Sequence, residues 1–195
     1  ANNDVGPGTV LGGPPQHLGY KGEDTAVEVG DGNTFRENVT VHRGMPTGNA
    51  VTRIGNHNYF MVGSHAGHDA VVGDHCTLVN GAALGGHVVL GDRAILSAYS
   101  AVHQFCRLGR LAFLSGTSGT TKDIPPFVLQ QGYNCVTGLN IIGMRRAGIP
   151  RESIDAVRVA FRILYKEGRA QNVACDRIEA DLGGHEIRLT DRVVN

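Results

Sequence analysis

An all-β coil of six-residue rungs followed by a small α-helical domain is the fold class this sequence predicts, and three observations predict it. Stepping by six from Ile54 meets Phe60, Ala66, Val72, Leu78, Leu84, Leu90, Leu96, Val102, Leu108 and Leu114 without a break in phase. Four residues after each stands, in nearly every case, a small side chain: Asn58, Ser64, Ala70, Cys76, Ala82, Val88, Ala94, Ser100, Cys106, Ala112 and Ser118. Glycine follows every third apolar position, at Gly55, Gly73, Gly91 and Gly109. One large and one small inward residue per hexad describes a hexapeptide β-helix, whose short flat strands turn tight corners around a triangular core. The glycine spacing makes three hexads, eighteen residues, one coil. The 28 glycines, beside no tryptophan, suit a fold that needs positive φ or close backbone approach at regular intervals.

Leu11-Gly12 begins the phase, which Val29, Phe35 and Val41 continue. Between Gly12 and Val29 the segment GPPQHLGYKGEDTAVE reads as a loop, and around MPTGNAVT the register gains one residue before Ile54. Extra residues in a solenoid go outward, often on the binding face, so both segments are candidate substrate contacts. The coil is expected to end near TKDIPPFVLQQG, where two prolines stop regular winding. This divides the chain into a β-helix over 1–124 and a helical domain over 125–195. The chain starts at Ala1, inside the repeat, so N-terminal coils are expected to be missing. In the second domain Pro150 opens a helix with Ile154, Val157, Phe161 and Leu164 on one face, and Gly168 closes it. A weaker helical stretch runs from about Gln171 to Leu182.

Composition excludes several function classes. With 195 residues, 18% charged and a net charge of zero, the chain is large enough for a real core and has no general attraction for nucleic acid. It carries neither a long apolar run nor a charged-then-apolar leader, so the expectation is a cytoplasmic protein with no membrane span. Cys76, Cys106, Cys135 and Cys175 form no C-x-x-C pair, which argues against a zinc ribbon or a disulfide framework.

Residues eighteen apart stack about 4.8 Å from one another in such a coil. Counting Ile54 as the first position of its coil makes His68 fifteenth, His87 sixteenth in the next coil and His103 fourteenth in the third; His42 is fourteenth in the coil counted from Val29. Four histidines are therefore expected along one edge of the prism. One histidine at a solvent-facing corner is ordinarily a turn residue, but a gathered set of ionisable groups marks a site. Two chemistries use such a set. Zinc takes three converging imidazoles at about 2 Å. Alternatively, Asp69 directly after His68 offers a carboxylate that accepts from one ring nitrogen and leaves the other as a base. Acyl transfer to a hydroxyl needs that base, because an alcohol is a poor nucleophile until its proton leaves. It also needs oxyanion donors, which the bare backbone N–H groups of Gly85 and Gly86 beside His87 could supply. The base is the preferred reading.

The segments VTVHRG, SHAGHD, LGGHVVLGD, AYSAVHQFCRLG, DIPPFVLQQG and LNIIGMRRAG follow one another in an order that resembles the UDP-N-acetylglucosamine 3-O-acyltransferases, the first enzymes of lipid A synthesis, over roughly residues 10–168. The resemblance implies a homotrimer of left-handed parallel β-helices with active sites in the clefts between subunits, and no metal or organic cofactor. It implies that His68 is the general base for the glucosamine 3-hydroxyl and that Asp69 orients it. The hydroxyl would attack the thioester of a 3-hydroxyacyl chain on acyl carrier protein, with the Gly86 N–H on the developing oxyanion. His65, His87, His103 and Gln104 match positions lining the substrate cleft, and Arg145 and Arg146 match a basic position near the nucleotide or carrier. Gly116 falls where side-chain bulk sets acyl length, so glycine implies room for a longer chain.

Two departures accompany the resemblance. The first loop reads Gln16-His17-Leu18-Gly19-Tyr20, where the family carries a QDLKY-like motif with an acidic residue and a lysine. Gln16 remains as a substrate-side residue, and Lys21 is near enough to stand in for the lysine. Near Tyr133 and Asn134 the chain is one residue shorter and lacks a histidine. An altered sugar nucleotide or acyl group is compatible with both. The arginines at 145, 146, 151, 158 and 162 read equally as a solvated helix face or as a dock for an acidic carrier protein. Two rivals stand beside the acyltransferase: a zinc hydratase of the γ-carbonic-anhydrase type using His65, His68 and His87, and a non-catalytic β-helix that binds a nucleotide sugar or carrier protein.

Overall fold

The computed structural model describes residues 2–168 and 170–182. Short strands, parallel through Val128–Gln130, stack into three sheets. The first runs through Asp4–Val5, Thr34–Phe35, Tyr59–Phe60, Thr77–Leu78, Ile95–Leu96, Phe113–Leu114, Val128–Gln130 and Val136–Leu139. The second holds Val10–Gly13, Thr40–His42, His65–Ala66, Ala83–Leu84, Ala101–Val102 and Gly119–Thr120. The third holds Ala26–Val29, Val51–Ile54, Val71–Val72, Val89–Leu90 and Arg107–Leu108. The eighteen-residue step is the strand register, as in Ala83 opposite His65 and Ala101, and Val89 opposite Val71 and Arg107.

The inward positions explain why two-residue strands suffice. Every residue of the six-step apolar series from Ile54 to Leu114, and every residue of the small series from Asn58 to Ser118, is buried. Each coil donates backbone N–H groups to the carbonyls of the next, as from Tyr59 to Cys76 at 2.9 Å and from Gly67 to Leu84 at 2.9 Å. A strand of this length is unstable alone, so the hydrogen-bonded stack and the apolar interior hold it.

Corners are made by one left-handed residue in each hexad, at positions 57, 63, 69, 75, 81, 87, 93, 99, 105, 111 and 117. Only Gly63 and Gly81 among these are glycine. The others, from His57 to Thr117, accept a conformation that costs an L-residue on the order of 1 kcal/mol. Many of the glycines serve close approach instead: a methyl group at Gly85 would lie 2.8 Å from the Gln104 nitrogen of the next coil, and one at Gly73 would lie 2.9 Å from the Asp92 nitrogen.

Several expectations are corrected. Val29 lies opposite Ile54 and Phe35 opposite Phe60, a step of 25 residues, so the insertion after His42 is seven residues long rather than one. Seven is one hexad plus one, which a phase count cannot distinguish from one. The first loop is also shorter, because Ala26–Val29 is a strand. Winding does not stop at Pro125 and Pro126: Leu129 pairs with Phe113, and Ile124 bridges Leu108.

The compact units are Ala1–Gly138 and Leu139–Asn195. In the second, α1 (Ile141–Arg146) was not foreseen; Asn140 caps it by accepting from the Gly143 N–H. Helix α2 (Arg151–Tyr165) follows Pro150 and buries Ile154, Ala156, Val157, Ala160 and Ile163, a face shifted from the one expected, since Phe161 and Leu164 are only partly buried. Helix α3 (Gln171–Leu182) packs Ala174 and Ile178 against Ala160 and Ile163.

Because Leu84 is fully buried, Leu84→Ala is expected to cost about 2–5 kcal/mol of stability. Denaturant unfolding at unchanged m-value measures it, and a loss under about 1 kcal/mol would contradict the inward stack.

Candidate active site

Stacking brings together one corner of three successive coils: Gly67-His68-Asp69, Gly85-Gly86-His87 and His103-Gln104-Phe105. Asp69, His87 and Phe105 occupy the left-handed position, with φ of 60°, 60° and 67°. His68 Nδ1–H donates to Asp69 Oδ2 at 2.8 Å. His68 keeps 13% of its side chain exposed and Asp69 none.

A buried carboxylate must find donors within the protein, and the seven-residue insertion provides them. Met45 N–H donates to Asp69 Oδ2 at 2.9 Å, and Asn49 N–H donates to Oδ1 at 2.7 Å. The Asp69 N–H donates to Thr52 Oγ1 at 2.8 Å. One backbone donor therefore stands on each oxygen of the carboxylate, so its orientation is fixed before His68 is considered. The residues responsible sit in a segment read from sequence only as a possible substrate loop.

With Nδ1–H committed to Asp69, the neutral His68 ring carries its free lone pair on Nε2. That edge faces Gly86: a methyl group added at Gly86 would lie 2.7 Å from both Nε2 and Cε1. The two glycines expected to offer bare N–H groups differ. Gly85 N–H is spent on Val102 O at 2.9 Å, which corrects that half of the expectation. Gly86 N–H makes no hydrogen bond among the described residues. A base and a free donor therefore lie side by side, as acyl transfer requires.

The four expected histidines separate into different settings. His87 joins His68 edge to face, with ring centroids 5.2 Å apart, and stacks on Phe105 at 4.6 Å. His42 instead packs on His65 at 5.0 Å, and His65 Nδ1 bonds Thr40 Oγ1 at 2.8 Å. His103 is exposed, with Nδ1 3.2 Å from the carbonyl of Gln104. The zinc reading changes accordingly. His68, Asp69 and His87 offer ligand atoms within 4.8 Å of one another, and His65 is not among them. Asp69 already accepts two backbone N–H groups and the His68 Nδ1–H, so three of its roughly four acceptor sites are taken. The donor set fits an oriented base better than a metal cage.

Comparison with known proteins follows the same line. Residues 123–190 match the family described as Udp N-acetylglucosamine O-acyltransferase; Domain 2. An acyl-[acyl-carrier-protein]--UDP-N-acetylglucosamine O-acyltransferase from an Anaeromyxobacter species is 47% identical over 185 residues, covering 94% of this chain and 72% of that protein. The chain belongs to the UDP-N-acetylglucosamine O-acyltransferase family. A relative of the same description from Halorhodospira halophila is 44% identical over 182 residues, 90% of this chain and 70% of that protein. The crystal structure of the UDP-N-acetylglucosamine acyltransferase from Bacteroides fragilis superposes with a TM-score of 0.91 at 38% identity, covering 95% of this chain and 72% of that one. The Francisella novicida enzyme gives 0.89 at 34%, covering 93% and 68%. The coil is the left-handed parallel β-helix of these acyltransferases.

Other residues singled out on the acyltransferase resemblance have these places. Gln104 and Gln16 are exposed. Lys21 Nζ donates to Leu18 O at 3.4 Å within the first loop. At Gly116 a methyl group would make only ordinary contacts, 3.4 Å from Ala98 O and 3.6 Å from Ser97 Oγ. Arg145 and Arg146 lie on the last turn of α1, and Arg145 lines a groove with Ile149, Arg151, Ile154, Asp155 and Arg158. Asn134 ties its turn to Thr121 through the Thr121 N–H at 2.8 Å.

Burial holds His65 well below its ordinary value, from 6.5 to about 4, with the His42 charge adding to it. His42 is lowered in the same way, by burial first and the His68 charge second. An unfolded chain binds protons at these histidines below pH about 6.5, where the folded chain does not, so stability falls as pH drops from about 6.5 toward 4. In His65→Gln the fall is expected to be shallower, as read from denaturant midpoints across that window. An unchanged fall would remove His65 as its source.

Proposed function

We propose that this chain transfers a 3-hydroxyacyl group from acyl carrier protein to the 3-hydroxyl of UDP-N-acetylglucosamine, the first step of lipid A synthesis, with His68 as general base. The observation that carries the reading is the bare Nε2 of His68 facing Gly86, whose N–H is free, while Asp69 holds the opposite nitrogen. His68 Nε2 takes the hydroxyl proton as the sugar oxygen attacks the thioester carbonyl. Asp69 stabilises the imidazolium that forms, through the Nδ1–H bond. Gly86 N–H donates to the carbonyl oxygen as it becomes an oxyanion. Collapse breaks the C–S bond, and the leaving sulfur takes the proton back from His68. The reading includes His65, His87, His103, Gln104 and Gln16 along the substrate cleft, Lys21 at the first loop, and Gly116 beside the acyl chain. It also includes Arg145 and Arg146 as contacts for the nucleotide or the acidic carrier. It places the protein in the cytoplasm as a homotrimer with the site in inter-subunit clefts; among the described residues no helix is long and apolar enough to cross a membrane.

His68→Ala is expected to leave the fold and oligomer intact and to lower acyl transfer from a 3-hydroxyacyl carrier thioester by about 10²- to 10⁴-fold. Circular dichroism, sedimentation and a product assay check this, and undiminished turnover would refute the base. Gly86→Ala should cost about 10²-fold by driving a methyl group against Nε2. Wild-type turnover in that variant would mean that the Gly86 side of the ring is not where the reaction occurs.

A further inference from the structure

The first loop leaves the family pattern at two residues, His17 and Gly19, and the structure joins them to each other and to the site. His17 is an exposed residue of the segment 14–25. Its ring meets the ring of His68 edge to face, with centroids 5.7 Å apart and planes at 82°. Gly19 N–H donates to His17 Nδ1 at 3.0 Å, which leaves the proton of the neutral His17 ring on Nε2. A methyl group at residue 19 would lie 3.0 Å from that Nδ1 and 3.1 Å from Cε1. The backbone at 19 thus gives the imidazole its donor, and the bare α-carbon of glycine gives it the space to sit there. The two residues form one unit.

What that unit does follows from the freedom of His68. A single hydrogen bond from Nδ1 to Asp69 leaves an imidazole able to swing about the line of the bond, since the outer torsion of histidine is broad. Swinging would carry Nε2 away from Gly86. The groups that face His68 are Asp69 at Nδ1, the His87 ring at 5.2 Å, the His17 ring at 5.7 Å and the Gly86 backbone. His87 and His17 come from different elements, one from the next coil and one from the outward loop. Edge-to-face contact is a favoured geometry for flat rings and needs no charge.

We infer that His17, seated on Gly19, is a positioning residue that keeps the His68 ring turned toward Gly86. The inference rests on His68 being the base. It gives the first loop of this chain a task that a flat ring performs, at the place of the acidic residue of the family pattern.

The test is steady-state kinetics of the intact chain carrying His17→Ala, His17→Phe or, as reference, His68→Ala, with acyl-carrier thioester and sugar nucleotide varied separately. His17→Ala is expected to lower kcat about tenfold, within the roughly 10²-fold that misplacement by about 1 Å can cost, with the KM for the sugar nucleotide changed less than about twofold. His17→Phe should recover kcat to within about threefold of the parent, because a flat ring is what the position requires. Wild-type kcat in His17→Ala overturns the inference. So does a His17→Phe variant as slow as His17→Ala with a raised sugar-nucleotide KM, which would put His17 on the substrate instead of on the base. If His68→Ala itself turns over normally, the base assignment fails; if only His68→Ala is inactive and His17→Ala is normal, the base stands and this inference alone falls.

Discussion

From Ile54 to Leu114 each residue of the coil is stacked on the residue eighteen positions away, and the rest of the structure depends on that constraint. It fixes which side chains point inward, because a slip of one residue would turn the buried series from Ile54 to Leu114 outward. It also fixes the site. The corner that carries Asp69 is repeated at His87 and again at Phe105, all three in the same left-handed conformation. A ring at residue 68 must therefore share its corner with the backbone one coil further on. That neighbour is Gly86, and a side chain there would occupy the place of the His68 Nε2 edge.

The coil alone would give an unoriented histidine beside a glycine. Orientation comes from the outward loops, where the repeat is interrupted. The insertion after His42 brings Met45 and Asn49 N–H groups onto both oxygens of Asp69, and Arg43 reaches back to the Tyr20 hydroxyl at 2.8 Å, tying the two loops together. Gly48 belongs to the same arrangement, since a methyl group there would lie 2.6 Å from His87 Cε1 and 2.7 Å from Asp69 Oδ1. A rigid stack supplies position and two loops supply direction, which is how a preorganised site is built on a solenoid.

Much of this was legible in the sequence because the coil is periodic. A six-residue phase names the buried residues and an eighteen-residue step names the vertical neighbours, so the approach of His68 to His87 follows by counting. What counting loses is anything that changes by a whole hexad. The insertion after His42 looked like one residue because seven differs from one by a full rung, and its backbone donors to Asp69 stayed hidden with it. His42 and His103 shared the corner by number, yet His42 turned to His65 and His103 to its own neighbour's carbonyl, since position in a coil sets location but not rotamer. The distinction between Gly85 and Gly86 was equally invisible, as it rests on which N–H the ladder consumes. Helix α1 escaped notice because six residues hold too little periodicity to read.

The central claim is that Asp69 fixes the neutral His68 ring with its proton on Nδ1 and its lone pair on Nε2, facing Gly86. Nitrogen-15 NMR of the ring nitrogens, in protein labelled at histidine and assigned by comparison with a chain lacking His68, reads this directly. The account predicts a protonated, hydrogen-bonded Nδ1 and an unprotonated Nε2 in the neutral ring. A proton found on Nε2, with Nδ1 bare against Asp69, would contradict it.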